Sequence, residues 1–233
     1  MADRVQGRLV LRRNRFVAEV EIDGSNALAH VPNSGRMTEL MVPGTPVLLV
    51  PAPEGSERRT QFNLTAILYR ERWVGVDSRM PPELIIEAWR AGLLPDLLEY
   101  TNVRREVTFG QSRLDLLFQG PHGLAYMEAK SVNLVEHRVA MFPDAPTVRG
   151  TRHLRELEKV LGEGHAAAVC FVVHRDDVDV LRPFAEADPA FAETLARVVE
   201  AGVAAYAIAC STTVEGQTPV RLVPVEVSPG VFA

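Results

Sequence analysis

The chain predicts an α+β protein in two parts, a small β-barrel followed by a mixed-sheet α/β domain, and three observations carry that prediction. Up to Val76 short apolar runs alternate with turn signals in the manner of strands. From Asp77 to Pro82 the pattern changes, and a proline-led helix is followed by three consecutive strand patterns and then by alternating helices and strands. With 233 residues the chain can bury a real core, as one large domain or as two small ones. The expected units are 1–76 and 77–233.

In the first unit RNRFVAEVEI alternates, with Phe16, Ala18, Val20 and Ile22 on one face and Arg15, Val17, Glu19 and Glu21 on the other. Asp23-Gly24 marks a turn, and Ala27 to Val31, Val47 to Val50 and Gln61 to Tyr69 read as further strands. Strands this short and this close together fit a small barrel, for which an OB-fold is the natural candidate. Arg8, Arg12, Arg13 and Arg15 crowd its beginning, with Phe16 beside them. Such a patch can track a phosphate backbone; it can equally be a charged edge that discourages sheet-to-sheet aggregation. HVPNSGRM, His30 to Met37, reads first as an ordered turn in which Asn33 caps backbone groups, and its His30 and Arg36 could touch a ligand.

The second unit is expected to run αβββαβαβ. MPPELIIEAWRAGLL is its first helix, with Glu83 and Glu87 four residues apart on one face. Glu83 lies in the first turn, where negative charge is favourable in any case, so Glu87 is the better candidate for a functional carboxylate. Three strands follow, Val103 to Phe109, Leu114 to Phe118 and Leu124 to Lys130, as an antiparallel meander. On the last of these Tyr126, Glu128 and Lys130 share a face, and the loop at Gln119 to Gly123 folds Asp115 alongside. Two carboxylates held close repel, and a hard divalent cation, Mg²⁺ or Mn²⁺, relieves the repulsion; the carbonyl of Ala129 could add a ligand, and Glu87 another, directly or through water. A lysine there can orient a nucleophile or offset charge on a phosphate. A bare E-x-K also fits a surface ion pair of small energy. Against that stands composition, since Lys130 and Lys159 are the only lysines among 25 basic residues. On the following helix, Thr147 to Leu161, Arg149, His153 and Glu156 share a face and could hold phosphates near the acidic site or form a salt-bridged surface.

The formal net charge of −5 argues against a uniformly basic nucleic-acid binder. The first 76 residues nevertheless carry 10 basic and 8 acidic side chains, against 15 and 22 in the remainder, so a polyanion would be met by local patches. No apolar window is long enough for a membrane span, and MADRVQGRLVLRR lacks the apolar core of a signal peptide, which leads to the expectation of a cytoplasmic protein without a membrane partner. Cys170 and Cys210 sit inside apolar runs and read as buried thiols.

Glu87, Asp115 and Glu128-Ala129-Lys130 in this element order resemble the PD-(D/E)xK nuclease superfamily, with Leu114 where its motif has proline. HVPNSGRM, SRLDLL, MEAKSVNL and FPDAPTVRGTRHLREL resemble the sugar fermentation stimulation protein (SfsA) family along essentially the full chain. That resemblance implies an N-terminal OB-fold, a restriction-endonuclease-like second domain, DNA binding and a regulatory link to sugar metabolism. Two functions follow as expectations. In the first, the chain is a metal-dependent DNA nuclease in which Asp115, Glu128, the Ala129 carbonyl and Glu87 serve Mg²⁺ or Mn²⁺, Lys130 positions the nucleophile, and Arg12, Arg13, Arg15, Arg36, Arg149 and His153 contact phosphate. In the second it is a catalytically inactive DNA-binding regulatory factor. Single- or double-stranded DNA, and a homodimer, are left open.

Overall fold

The computed structural model describes residues 4–110 and 112–227. Among these, one compact unit comprises residues 4–79 with 211–218 and the other residues 80–210 with 219–227.

The first unit is built from β1 (Val5–Asn14), β2 (Val17–Ile22), β3 (Ser25–His30), β4 (Pro46–Pro51), β5 (Phe62–Tyr69) and β6 (Arg72–Gly75). Their order is β3-β2-β1-β4-β5-β6, and β3 also pairs with β5 through Ala29↔Phe62 and His30↔Asn63, which closes five strands into a barrel. Alternation along these strands, shifted by one residue where β4 and β5 change register between Leu48 and Leu49, sends Leu9, Ala18, Val20, Ala29, Val47, Leu49, Leu64 and Ile67 into one core. The run from Arg13 to Ile22 is not one strand, as its alternation predicts. It breaks at Arg15–Phe16, where Asn14 Oδ1 accepts from the Phe16 N–H at 2.9 Å and the chain reverses from β1 into β2.

The second unit carries α1 (Pro81–Arg90), a short 3-10 turn, β7 (Asn102–Phe109), β8 (Ser112–Gly120), β9 (Gly123–Val132), β10 (Val135–Glu136), β11 (Val139–Phe142) and α2 (Val148–Gly162). After these come β12 (Ala166–Val173), β13 (Val180–Pro183), α3 (Pro189–Glu200), β14 (Ala204–Thr212) and β15 (Gln217–Val223). The main sheet has the order β15-β14-β12-β9-β8-β7. Its β7-β8-β9 half is the antiparallel meander, while β9, β12 and β14 run parallel through the crossovers α2 and α3. A small sheet, β10-β11-β13, was not signalled by the sequence.

Each face of the main sheet has its own core. Leu154, Leu157 and Val160 of α2 and Phe191, Leu195 and Val198 of α3 pack with Tyr126, Val169 and Phe171 on one side. Leu84, Ile85 and Ala88 of α1 pack with Met127, Ala168 and Cys170 on the other. Both cysteines are free and buried, and burial holds their thiols well above the usual range, which fits packing rather than reactivity. Among the described residues no helix is long and apolar enough to cross a membrane.

Candidate functional site

β9 lies between β8 and β12, and its two-residue period decides what each face receives. Tyr126 joins the core under α2 and Met127 the core under α1, so Glu128 and Lys130 project toward α2. Both are buried, at 3% and 8% exposure. The β8–β9 ladder pairs residues only as far as Leu116↔Met127. Beyond that point the two strands part, and Asp115 fills the gap: its Oδ2 accepts from the Ala129 N–H at 2.8 Å. The N–H and C=O of one strand residue point to the same neighbour, so the Ala129 carbonyl opens onto that gap too.

Glu128 Oε1 accepts twice, from Lys130 Nζ at 2.7 Å and from His153 Nδ1 of α2. Its Oε2 is buried and accepts nothing. Leaving a buried acceptor unpaired costs about 1–3 kcal/mol, more when it is charged. Asp115 is half-buried, and burial pushes its carboxyl up to about 6, with the Glu128 charge adding to the rise and the Ala129 N–H and Lys130 pulling it back. Glu128 goes the other way. Its burial is outweighed by the Lys130 ammonium and the His153 hydrogen bond, which hold it below the usual carboxylate range.

Among the described residues no three His, Cys, Asp or Glu side chains form a ready-made metal cage. What the site offers is an orphaned carboxylate oxygen beside a second carboxylate and a strand carbonyl, an all-oxygen set that suits a hard cation retaining several waters. A divalent ion fits that donor set, and would relieve both the unpaired Oε2 and the Asp115–Glu128 repulsion.

The predicted site residues thus divide. Asp115, Glu128, Ala129 and Lys130 come together. Glu87 does not join them, because α1 covers the opposite face of the sheet; its carboxylate is exposed and bears on Cys210. Glu83, its neighbour one turn earlier, is ion-paired with Arg105. His153, expected to steady a phosphate, is 3% exposed and is spent on Glu128, while Arg149 stays exposed and donates through Nε to His153 Nε2 at 3.4 Å. Glu156 is buried too and accepts from Lys159 at 2.7 Å.

On the barrel, the end of β1 and the loop after β3 border an open cavity of about 450 Å³ lined by Arg12, Asn14, Arg15, Ser34, Gly35, Arg36, Thr38 and Met41. Arg12 does not present its charge outward as expected. It donates to the carbonyls of Arg15, Gly35 and Arg36 and so ties the loop to β1. Asn33 completes the tie, accepting from the Gly35 N–H at 2.8 Å and donating to the Val76 carbonyl at 2.9 Å. Arg13 is outside the cavity lining and paired with Glu19 at 2.6 Å. Arg15 and Arg36 are exposed in the cavity wall, and Phe16 beside them is 48% exposed and stacked on His30. Ser34 and Thr38 of that wall carried no signal in the sequence beyond the turn itself.

A five-stranded barrel followed by a mixed sheet with Asp on one strand and Glu-x-Lys on the next defines a class, an OB domain joined to a restriction-endonuclease-like domain. Residues 10–76 match the family model described as SfsA N-terminal OB domain, and residues 79–216 the one described as Sugar fermentation stimulation protein RE domain. The chain belongs to the sugar fermentation stimulation protein (SfsA) family. It is 40% identical over 222 residues to the sugar fermentation stimulation protein homolog of Desulforamulus reducens, covering 95% of this chain and 92% of the relative. It is 43% identical over 227 residues to the homolog of Natranaerobius thermophilus, covering 95% and 93%. The solved structure of Pyrococcus furiosus SfsA in complex with Ca²⁺ superposes with a TM-score of 0.88 at 30% identity, covering 97% of this chain and 99% of that one.

Proposed function

We propose that this chain is a divalent-metal-dependent nuclease that hydrolyses DNA phosphodiesters. The observation that carries the reading is the buried, unpartnered Oε2 of Glu128, set beside Asp115 and walled by Lys130 on its other oxygen. That the P. furiosus relative was solved with Ca²⁺ supports a hard divalent cation as the kind of ion this chain takes. Asp115, Glu128 Oε2 and the Ala129 carbonyl would hold Mg²⁺ or Mn²⁺, and Glu87, across the sheet, is left out of the metal's immediate ligands. When bound, the cation supplies Lewis-acid stabilisation of the charge that develops on the phosphate.

The remaining chemistry belongs to the side chains. Lys130 Nζ, held at Glu128 Oε1, orients the attacking water and offsets negative charge in the transition state. Arg149, exposed at the start of α2, steadies a phosphate as a forked donor. Arg15, Arg36 and Ser34 grip the nucleic-acid backbone at the barrel cavity, with Phe16 available to stack a base.

The test incubates the purified chain with plasmid and with single-stranded DNA, each with Mg²⁺, Mn²⁺ or chelator. Cleavage that needs the metal and falls at least about 100-fold in both Asp115→Ala and Lys130→Ala is the expected result. Undiminished cleavage in both variants removes the assignment. The pre-shaped arginine cavity on the barrel favours a second reading, a DNA-binding regulatory factor without turnover. That reading predicts a metal-independent, salt-sensitive gel shift and no cleavage under any condition.

A further inference from the structure

We propose that His153 is a positioning residue of the metal centre: it fixes which oxygen of Glu128 faces the cation, while Arg149 fixes which nitrogen of His153 does the holding. The inference rests on the metal reading above. A Glu carboxylate rotates about a broad, roughly two-fold torsion, so nothing intrinsic to Glu128 distinguishes its two oxygens. Lys130 does not distinguish them either, because an ammonium on a flexible stem can follow whichever oxygen is offered.

His153 cannot follow. It sits on the buried stripe of α2 with Gly150, Leu154 and Leu157, and its Nδ1 meets Oε1 of Glu128. With Oε1 claimed by both His153 and Lys130, Oε2 is the oxygen left with no partner, and Asp115 lies near enough to feel the Glu128 charge.

The ring must also present the correct nitrogen. An imidazole has two, and which one carries the proton is set by what the other meets. Here the other is Nε2, and it meets Arg149 Nε at 3.4 Å. A guanidinium can only donate. Nε2 is therefore the acceptor, and Nδ1 carries the hydrogen given to Glu128. The spacing that allows this is the helix's own, since residues four apart stack on one face. Arg149 uses Nε inward, and among the described residues no hydrogen bond occupies its Nη groups, which lie on an exposed side chain. One imidazole thus links the carboxylate that takes the metal to the guanidinium that meets a phosphate.

The experiment titrates Mn²⁺ and, separately, Ca²⁺ into the full chain by calorimetry, without nucleic acid. His153→Ala is expected to weaken binding about 10–100-fold, the usual effect of removing a partner that orients a metal ligand. His153→Asn can place an amide N–H where Nδ1–H stands and should recover most of the affinity. His153→Gln reaches the Nε2 position instead and should not. Long-range ¹⁵N spectra should show the His153 proton on Nδ1 in the wild type.

Wild-type affinity in His153→Ala with unchanged circular dichroism overturns the inference, as does equal recovery by Asn and Gln, or a proton found on Nε2. If the alanine variant does not fold, the comparison of Asn with Gln still decides. Absence of Mn²⁺ and Ca²⁺ binding in the wild type overturns the metal reading and this inference with it, whereas wild-type binding that ignores His153 overturns this inference alone.

Discussion

Asp115 is less acidic than an ordinary aspartate chiefly because it is buried, and secondarily because Glu128 is near. Its carboxyl rises from 3.8 to about 6, so between those values the folded chain binds more protons than the unfolded one. Stability from this group is therefore greatest at low pH and is lost as pH rises through about 6. At about 1.4 kcal/mol per unit, with some discount for its partial exposure, the ionised form costs the metal-free fold roughly 2 kcal/mol. Asp115→Asn, which can still accept from the Ala129 N–H, should accordingly raise the melting temperature of chelator-treated protein at pH 8 and leave it unchanged near pH 3. A lower melting temperature at pH 8 would contradict this. Added Mn²⁺ should stabilise the wild type above pH 6 and lose affinity about tenfold per unit below it, since the ligand must first shed its proton. The Asp-Glu-Lys set was legible because a two-residue period fixes which side chains share a face. The partner of His153 was not, since helical spacing says that Arg149 and His153 stack but not which strand they meet. Nor was the role of Arg12, whose guanidinium bonds carbonyls on a loop more than twenty residues away.

At the scale of elements, helix ends were the most readable feature, and one of them has a task its sequence did not disclose. Asp188-Pro189 announces the start of α3, and Asp188 Oδ1 indeed caps the Phe191 N–H at 3.0 Å. Its Oδ2 accepts from the Thr147 N–H at 2.7 Å, and Thr147 in turn caps α2 through Gly150 N–H at 3.0 Å. One buried carboxylate thus anchors the starts of two helices, the second of which carries Arg149 and His153. Gly150 has no side chain for a reason of space: a Cβ there would lie 2.7 Å from the Thr147 methyl and 3.3 Å from Phe191. Asp188→Ala should lower stability by about 2–3 kcal/mol in denaturant titration, one lost cap plus one stranded N–H, and Asp188→Asn by less. A change under about 0.5 kcal/mol in the alanine variant would mean that water replaces the carboxylate at both N–H groups. The hairpins the sequence did not signal share one cause. Between β5 and β6 the turn residues Arg70 and Glu71 have φ of 45° and 63°, and between β10 and β11 His137 and Arg138 have 46° and 66°. Left-handed two-residue turns of this kind are read from Asn and Gly, and neither residue is present in these.

Over the whole molecule the acidic total conceals two differently charged regions, and the tasks proposed for them are separable by experiment. The barrel cavity gathers Arg15 and Arg36 around a loop already pinned by Arg12 and Asn33, so the loop has little order left to acquire when a polyanion arrives. The second unit instead concentrates buried negative charge, where only a cation or a lysine is welcome. If the barrel grips and the sheet cuts, each can be disabled without the other. Replacing Arg15 and Arg36 together with Ser should weaken binding to single-stranded DNA at low salt and reduce the slope of log K against log salt by about 1.4, roughly 0.7 for each phosphate no longer neutralised. The same variant should titrate with Mn²⁺ as the wild type does. Lys130→Ala should show the converse, with the wild-type salt slope in a gel shift and no metal-dependent cleavage. Arg13→Ser serves as the control, because it lies outside the cavity lining, so its salt slope should stay close to the wild type's. Equal losses in the Arg13 variant and in the Arg15/Arg36 variant would show that net charge, not the shaped cavity, governs binding, and the division of labour would fall with that result.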